Sequence, residues 1–164
     1  MIIKTHISDH KKHKSNLLDL IDSIPNISSD VCDGEQVAKS DWYLNSSYPR
    51  KYWEYFFDIL NPWFEKMKDV HGSNKVVIDN YWFQQYSKNN YHDWHNHPKC
   101  HFSSIYYLEL PKTNLVTEFK TRKPISTKEG DIITFPAHLL HRSPVNNSEK
   151  RKTVIVFNSN IYVS

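Results

Sequence analysis

Four side chains stand apart by type and spacing. His95 and His97 are two residues apart, His141 follows forty-four residues after His97, and Arg151 lies ten residues further on. The surrounding strings are Tyr91-His-Asp-Trp-His-Asn-His-Pro98 and Phe135-Pro-Ala-His-Leu-Leu-His-Arg-Ser143. Side chains on a strand alternate between its faces, so His95 and His97 project in the same direction. A third imidazole from a neighbouring strand can close a set around one divalent cation. A guanidinium on a further strand can then hold an anionic cosubstrate beside the metal. Arg151 opens an alternating segment in which Arg151, Thr153 and Ile155 share one face, with Lys150 and Lys152 on the other. An arginine fork with a threonine hydroxyl suits a carboxylate. The pattern reads as a metal site with an anion anchor.

Other donors compete for that role. Four of the ten histidines lie between 92 and 101, with two more at 138 and 141. Asp93 shares a face with His95 and His97, but Asp93 and His97 are four strand residues apart, roughly 13 Å. The ligand pair is therefore Asp93 with His95, or His95 with His97, unless the strand bulges. His92 points to the opposite face of a regular strand. His101 follows Pro98 and reads as surface, and His138 reads as a supporting or surface residue. The bland alternatives are solvated or packed histidines, with Arg151 a surface charge inside Lys150-Arg-Lys152. A packing role predicts apolar neighbours, whereas the residue two before His95 is Asp93.

These residues need a scaffold, and the chain is long enough for one domain with a substantial core. Its 164 residues are 14% aromatic and contain only three glycines, the composition of a packed domain rather than a linker. Residues 1–72 form a mostly helical support region. Leu17, Leu18, Leu20, Ile21 and Ile24 are spaced for a helix over 12–24, and a second helical stretch runs from about Pro49 to Val70. Pro62 kinks that stretch or starts a new helix capped by Asn61. The segment from Asp30 to Ser47 reads as irregular. From residue 73 to 164 the texture becomes short strands over 76–86, 91–97, 102–110, 115–119, 130–135 and 153–162, separated by turn residues. The expected fold is mainly β with N-terminal helices. It is a double-stranded β-helix (jelly roll, cupin-like) with the helices packed on one sheet.

The formal charge of +3 and scattered basic residues give no nucleic-acid footprint. No apolar run approaches membrane-spanning length, and the N-terminus has no signal-peptide pattern. Cys32 and Cys100 are isolated thiols, which points to a reducing, cytoplasmic setting.

The strings His95-Asn-His-Pro98, Ser104-Ile-Tyr-Tyr-Leu108, Gly130-Asp-Ile-Ile-Thr-Phe-Pro136, His141 and Arg151–Asn158 resemble the 2-oxoglutarate/Fe(II)-dependent oxygenases in their prolyl-hydroxylase-like branch. They look closer still to a small bacterial and bacteriophage subgroup in which His-x-His replaces His-x-Asp. The resemblance spans about residues 76–160. It implies Fe(II) on His95, His97 and His141, with Asp93 or Glu118 as alternative carboxylate ligands. It also implies 2-oxoglutarate as cosubstrate, with its far carboxylate on Arg151 and Thr153 and with Tyr86 and Tyr107 lining the pocket. Dioxygen would complete the set. The implied reaction is oxidative decarboxylation to succinate and carbon dioxide, coupled to hydroxylation of a substrate such as a protein or peptide side chain. A viral origin would place it in the host cytoplasm. With His97 in place of a carboxylate, the three-imidazole site carries one more unit of positive charge than the usual triad.

Two further readings of the residues remain open here. One is a three-His, cupin-like dioxygenase that uses no 2-oxoglutarate, distinguished by oxygen consumption without the oxo acid. The other is a non-catalytic metal-binding or interaction module, whose partners would meet aromatics such as Trp42, Trp82 and Trp94.

Overall fold

The computed structural model describes residues 1–26 and 35–163. Residues 30–34, within the segment read as irregular, and Cys32 with them, lie outside the described residues. No described helix is long and apolar enough to cross a membrane.

The elements run in the order β1 (Ile3–His6), α1 (His10–Asp22), β2 (Glu35–Gln36), β3 (Lys39–Ser40), α2 (Lys51–Asp58), α3 (Asn61–His71), β4 (Lys75–Tyr86) and β5 (Tyr91–His95). They continue with β6 (Phe102–Glu109), β7 (Glu118–Phe119), β8 (Asp131–Pro136), β9 (His141–Ser143) and β10 (Lys152–Tyr162). A six-stranded antiparallel sheet has the order β1-β8-β6-β10-β4-β3, and a four-stranded sheet the order β2-β5-β9-β7. This is the jelly roll expected from the strand spacing.

Several local expectations are corrected. Residues 3–6 form an edge strand of the large sheet, missed because four residues carry almost no periodicity. The stretch 49–70 is two helices, with Ile59 and Leu60 between them. Pro62 sits in the first turn of α3, where a missing N–H costs nothing. The cap position is Leu60, not Asn61. Gly72 ends α3 in the left-handed conformation with φ of 57°, which a residue without Cβ adopts freely.

The alternation of side chains builds two cores. Odd positions of β4 and β10, including Phe83, Ile155 and Phe157, pack against the helices with Leu17, Ile21, Tyr52, Phe56 and Trp63. The buried Trp63 indole donates 2.8 Å to the Thr134 hydroxyl, so α3 is fixed to the sheet by shape and by a satisfied polar atom. Even positions, including Trp82, Tyr86, Val154 and Val156, face the small sheet and form the second core with Ile105, Ile133 and Phe135. Facing the second core means facing the histidines.

Candidate metal centre

β5 and β9 are paired so that His95 lies opposite His141. Between His92 and His95 the register slips: His92 pairs with Ser143, so β5 spends three residues where β9 spends two. The bulge turns His92 toward the same cavity as His95, against the expectation that it faces away. Its ring stacks on His95 with centroids 3.7 Å apart and planes 9° from parallel. His97 lies just past the strand end, where its backbone N–H bonds to the Ala137 carbonyl at 2.9 Å.

One ring nitrogen from each of His95, His97 and His141 lies within 4.8 Å of the others. Two of the three rings are oriented by backbone. His95 Nδ1 is 2.7 Å from the Asp93 carbonyl, and His141 Nδ1 is 2.8 Å from the Leu139 carbonyl. A carbonyl only accepts, so each Nδ1 carries the hydrogen and each Nε2 lone pair is left for a cation. Burial holds the imidazoles neutral. It drives His141 and His92 down to about 3 and His97 to about 4, helped by the neighbouring rings, and also lowers His95. Three neutral nitrogen donors, two of them held in one orientation, fit a borderline divalent ion such as Fe(II).

Neither alternative carboxylate joins this group. Asp93 is exposed and its carboxylate accepts the Trp94 N–H at 2.7 Å. Glu118 bonds to Arg142 at 2.7 Å. His101 and His138 are both exposed.

The expected anion anchor is corrected. Arg151 and Thr153 lie on the helix side of β10, not the histidine side. Arg151 pairs with Asp22 at 2.9 Å and with Glu109 at 2.8 Å, and the Thr153 hydroxyl donates to Glu109 at 2.5 Å. The parity along β10 was read correctly, but it is the opposite face, with Lys152, Val154 and Val156, that lines the histidine cavity. Lys152 is the basic residue that lines the histidine cavity, and it is 2% exposed. Its ammonium donates to the Leu115 carbonyl at 2.6 Å and the Ser143 hydroxyl at 2.8 Å. It also sits 5.1 Å from the centre of the Tyr86 ring. Burial lowers it to about 7, only partly offset by the charge of Glu118. Within the sequence, nothing marked Lys152 rather than the adjacent Arg151 as the residue that lines the cavity.

Tyr86 lines the cavity and its hydroxyl donates to the Gln84 side-chain amide oxygen, Oε1, at 2.7 Å. Gln84 in turn lies 3.4 Å from His92 Nδ1. Tyr107 does not line it. Its hydroxyl is engaged with Thr117, donating at 2.7 Å and accepting the backbone N–H at 3.0 Å, and Thr117 itself reaches the wall. Trp94 is also outside the cavity, stacked under the Arg142 guanidinium at 4.7 Å, while Trp82 lines it.

Residues 80–158 match the family described as "Putative 2OG-Fe(II) oxygenase". Among curated proteins no sequence relative matches. The fold is shared with a viral collagen prolyl hydroxylase from Paramecium bursaria Chlorella virus-1, solved with 2OG. That similarity has a TM-score of 0.65 at 14% identity, covering 96% of this chain and 94% of that one. An oxidoreductase of the 2OG-Fe(II) oxygenase family from Burkholderia pseudomallei gives 0.66 at 13% identity, covering 97% and 84%. A prolyl hydroxylase from Trichoplax adhaerens, in complex with a hypoxia inducible factor peptide fragment, gives 0.63 at 10%, covering 96% and 82%. The matched strands, the jelly roll and the histidine cluster agree with one another: over residues 80–158 the chain is similar to the 2OG-Fe(II) oxygenases, and its fold is the one these solved structures share. The matched family is described by its use of Fe(II) and 2-oxoglutarate, and the three-His cluster offers donors for such a metal.

Proposed function

We propose that His95, His97 and His141 hold Fe(II), that Lys152 takes the far carboxylate of 2-oxoglutarate, and that the enzyme hydroxylates a protein or peptide side chain. The observation that carries this is one cavity lined both by three imidazoles, two of them oriented by backbone carbonyls, and by a buried ammonium. Burying a cation without a carboxylate beside it is unfavourable, and the fold retains one where an anionic cosubstrate must bind. When bound, Fe(II) with 2-oxoglutarate and dioxygen supplies the oxidising chemistry that yields succinate, carbon dioxide and a hydroxylated product.

The chain's own residues do the rest. The Asp93 and Leu139 carbonyls hold the His95 and His141 rings in one tautomer and one orientation. Lys152 exchanges its bonds to Leu115 and Ser143 for a carboxylate. The inner cavity holds only about 20 Å³, so admitting the cosubstrate also requires the side chains around Lys152 to move apart. Tyr86 offers its phenol beside the same ammonium. Trp82, Val154 and Val156 form the apolar wall that keeps water from the reaction centre.

A peptide substrate is supported by the Trichoplax neighbour, which was solved with a peptide fragment. The cytoplasmic setting belongs to the same proposal and rests on cysteine usage. The test is succinate formation by protein supplied with Fe(II), 2-oxoglutarate and oxygen. Succinate above the protein-free rate, abolished by His141→Ala, supports the reading. No 2-oxoglutarate binding by metal-loaded protein refutes it.

A further inference from the structure

The histidine cluster also borders an open groove of about 200 Å³ on its outer side. This groove shares Trp82, Gln84 and three histidines with the inner cavity and adds Trp42 and Asn96. Trp42 is 49% exposed, an uncommon place for a large indole on an ordered loop. Its position is fixed from both sides. The indole meets Trp82 edge-on, with ring centres 4.7 Å apart and planes at 73°. The preceding residue, Asp41, is 1% exposed and ties the loop root to the start of α2 and to β4. Its carboxylate accepts from Arg50 Nε at 2.9 Å, from the Tyr52 hydroxyl at 2.7 Å and from the Phe83 N–H at 2.9 Å. The same Arg50 guanidinium donates to the carbonyls of Asp41, Leu44, Asn45 and Tyr48. A loop without helix or strand is thus held rigid by a buried ion pair while it presents an indole beside the reaction centre.

The groove's chemistry selects its occupant. Among the described residues, no lysine, arginine or carboxylate lines it. Its polar groups are the side-chain amides of Gln84 and Asn96 and the imidazoles; with the His95 and His97 nitrogens turned to the metal and Gln84 bonded to Tyr86 and His92, Asn96 is left to pair with a peptide amide. A charged group placed there would lose hydration without finding a counter-charge. An apolar group would cover the faces of two indoles.

We propose that Trp42 is a substrate-contacting specificity residue, and that the groove receives an uncharged, apolar side chain borne on a peptide. This rests on the reading of the histidine cluster as the reaction centre.

The test uses full-length protein with 15N-labelled indoles, loaded with Zn(II) and 2-oxoglutarate. It is titrated with N-acetylleucine amide and N-acetylproline amide, and in parallel with N-acetyllysine amide and N-acetylaspartate amide. The neutral amides are expected to shift the Trp42 and Trp82 indole signals with saturation, and the charged ones to bind more weakly by about fivefold or more. Trp42→Ala is expected to weaken the neutral amides by about fivefold, the size of one aromatic contact, and Trp42→Phe to recover most of it. A silent Trp42 signal, equal responses to neutral and charged probes, or undiminished affinity in Trp42→Ala overturns the inference. If Trp42→Ala does not fold, by its amide dispersion, the wild-type titrations and Trp42→Phe decide alone. Calorimetry of 2-oxoglutarate on the Zn(II)-loaded wild type separates the two levels. Absence of binding there sinks the underlying reading, whereas binding with a silent Trp42 sinks only this one.

Discussion

Replacing Lys152 with methionine should make the protein more stable and useless for its cosubstrate at once. The ordinary lysine value is 10.5, and burial brings Lys152 down to about 7. Folding therefore penalises the ammonium by roughly 4 kcal/mol at neutral pH. The sign follows from the direction of the shift. A lysine lowered by folding opposes the fold fully below about pH 7, less as pH rises, and not at all above 10.5. Lys152→Met removes that penalty but leaves the Leu115 carbonyl and Ser143 hydroxyl without a donor, a loss of about 1–3 kcal/mol. The net expectation is a gain of about 1–3 kcal/mol, or about 2–10 °C in melting temperature for a domain of this size. The affinity for 2-oxoglutarate should fall by about 2–5 kcal/mol, roughly 30-fold to several thousand-fold, since a buried charge partner is lost. Arg151→Met supplies the contrast. Its pairs with Asp22 and Glu109 are partly solvated, so it should lose about 1 kcal/mol of stability and leave 2-oxoglutarate affinity within about threefold. The assay is scanning fluorimetry without ligand beside calorimetry of 2-oxoglutarate on Zn(II)-loaded protein. A lower melting temperature for Lys152→Met, or equal losses of affinity in the two variants, would refute the reasoning.

Other outcomes follow from the same geometry. His141→Ala should lower divalent-metal affinity by about 100-fold or more, read by competition with a chromogenic chelator, while Asp93→Ala changes it by less than about threefold. Because burial lowers His97 to about 4 and His141 to about 3, metal binding at pH 6 should release almost no proton, a result that calorimetry in buffers of different ionisation enthalpy reads directly. Those lowered values also mean that the unfolded chain binds more protons than the fold between about pH 3 and 6.5. The metal-free protein should therefore lose stability as pH falls through that window. Asp41→Ala leaves the Arg50 guanidinium without its carboxylate and should cost about 3–5 kcal/mol in urea unfolding, far more than the exposed Glu65→Ala at about 0.5 kcal/mol or less.

The features legible in the sequence were those carried by short-range spacing. His95 and His97 are neighbours on one chain segment, and the alternating apolar runs after Gly72 announce strands. What escaped depended on contacts across the fold. On β10 both faces are apolar, with Val154 and Val156 on one side and Ile155 and Phe157 on the other, so alternation fixes two sets without saying which meets the metal. The deciding contacts are Asp22 and Glu109, which hold Arg151 on the helix side from far away in sequence. His92 was lost for a different reason. A bulge has no residue signature here, and one extra residue reverses every face assignment upstream of it. Trp42 lies before the matched strands, in a segment whose order comes from the buried Asp41, and no periodicity marks such a knot.

On the proposed assignment, a histidine at position 97 where a carboxylate is usual and a buried lysine as the anion anchor bear on one another through charge. Three neutral imidazoles leave the full positive charge of the metal in a cavity that already contains an ammonium. Like charges in a dry cavity repel, so each cation weakens the other's affinity until the dianionic cosubstrate arrives. Metal and 2-oxoglutarate should then bind with positive coupling, reciprocal by linkage. Lys152 lies at about 7 before the cosubstrate enters, so part of the population can shed its proton and relieve the repulsion. Substituting His97→Asp restores a negative ligand and should reduce that coupling, measured as the ratio of Zn(II) affinities with and without saturating 2-oxoglutarate. An unchanged ratio would place the coupling in contacts other than charge.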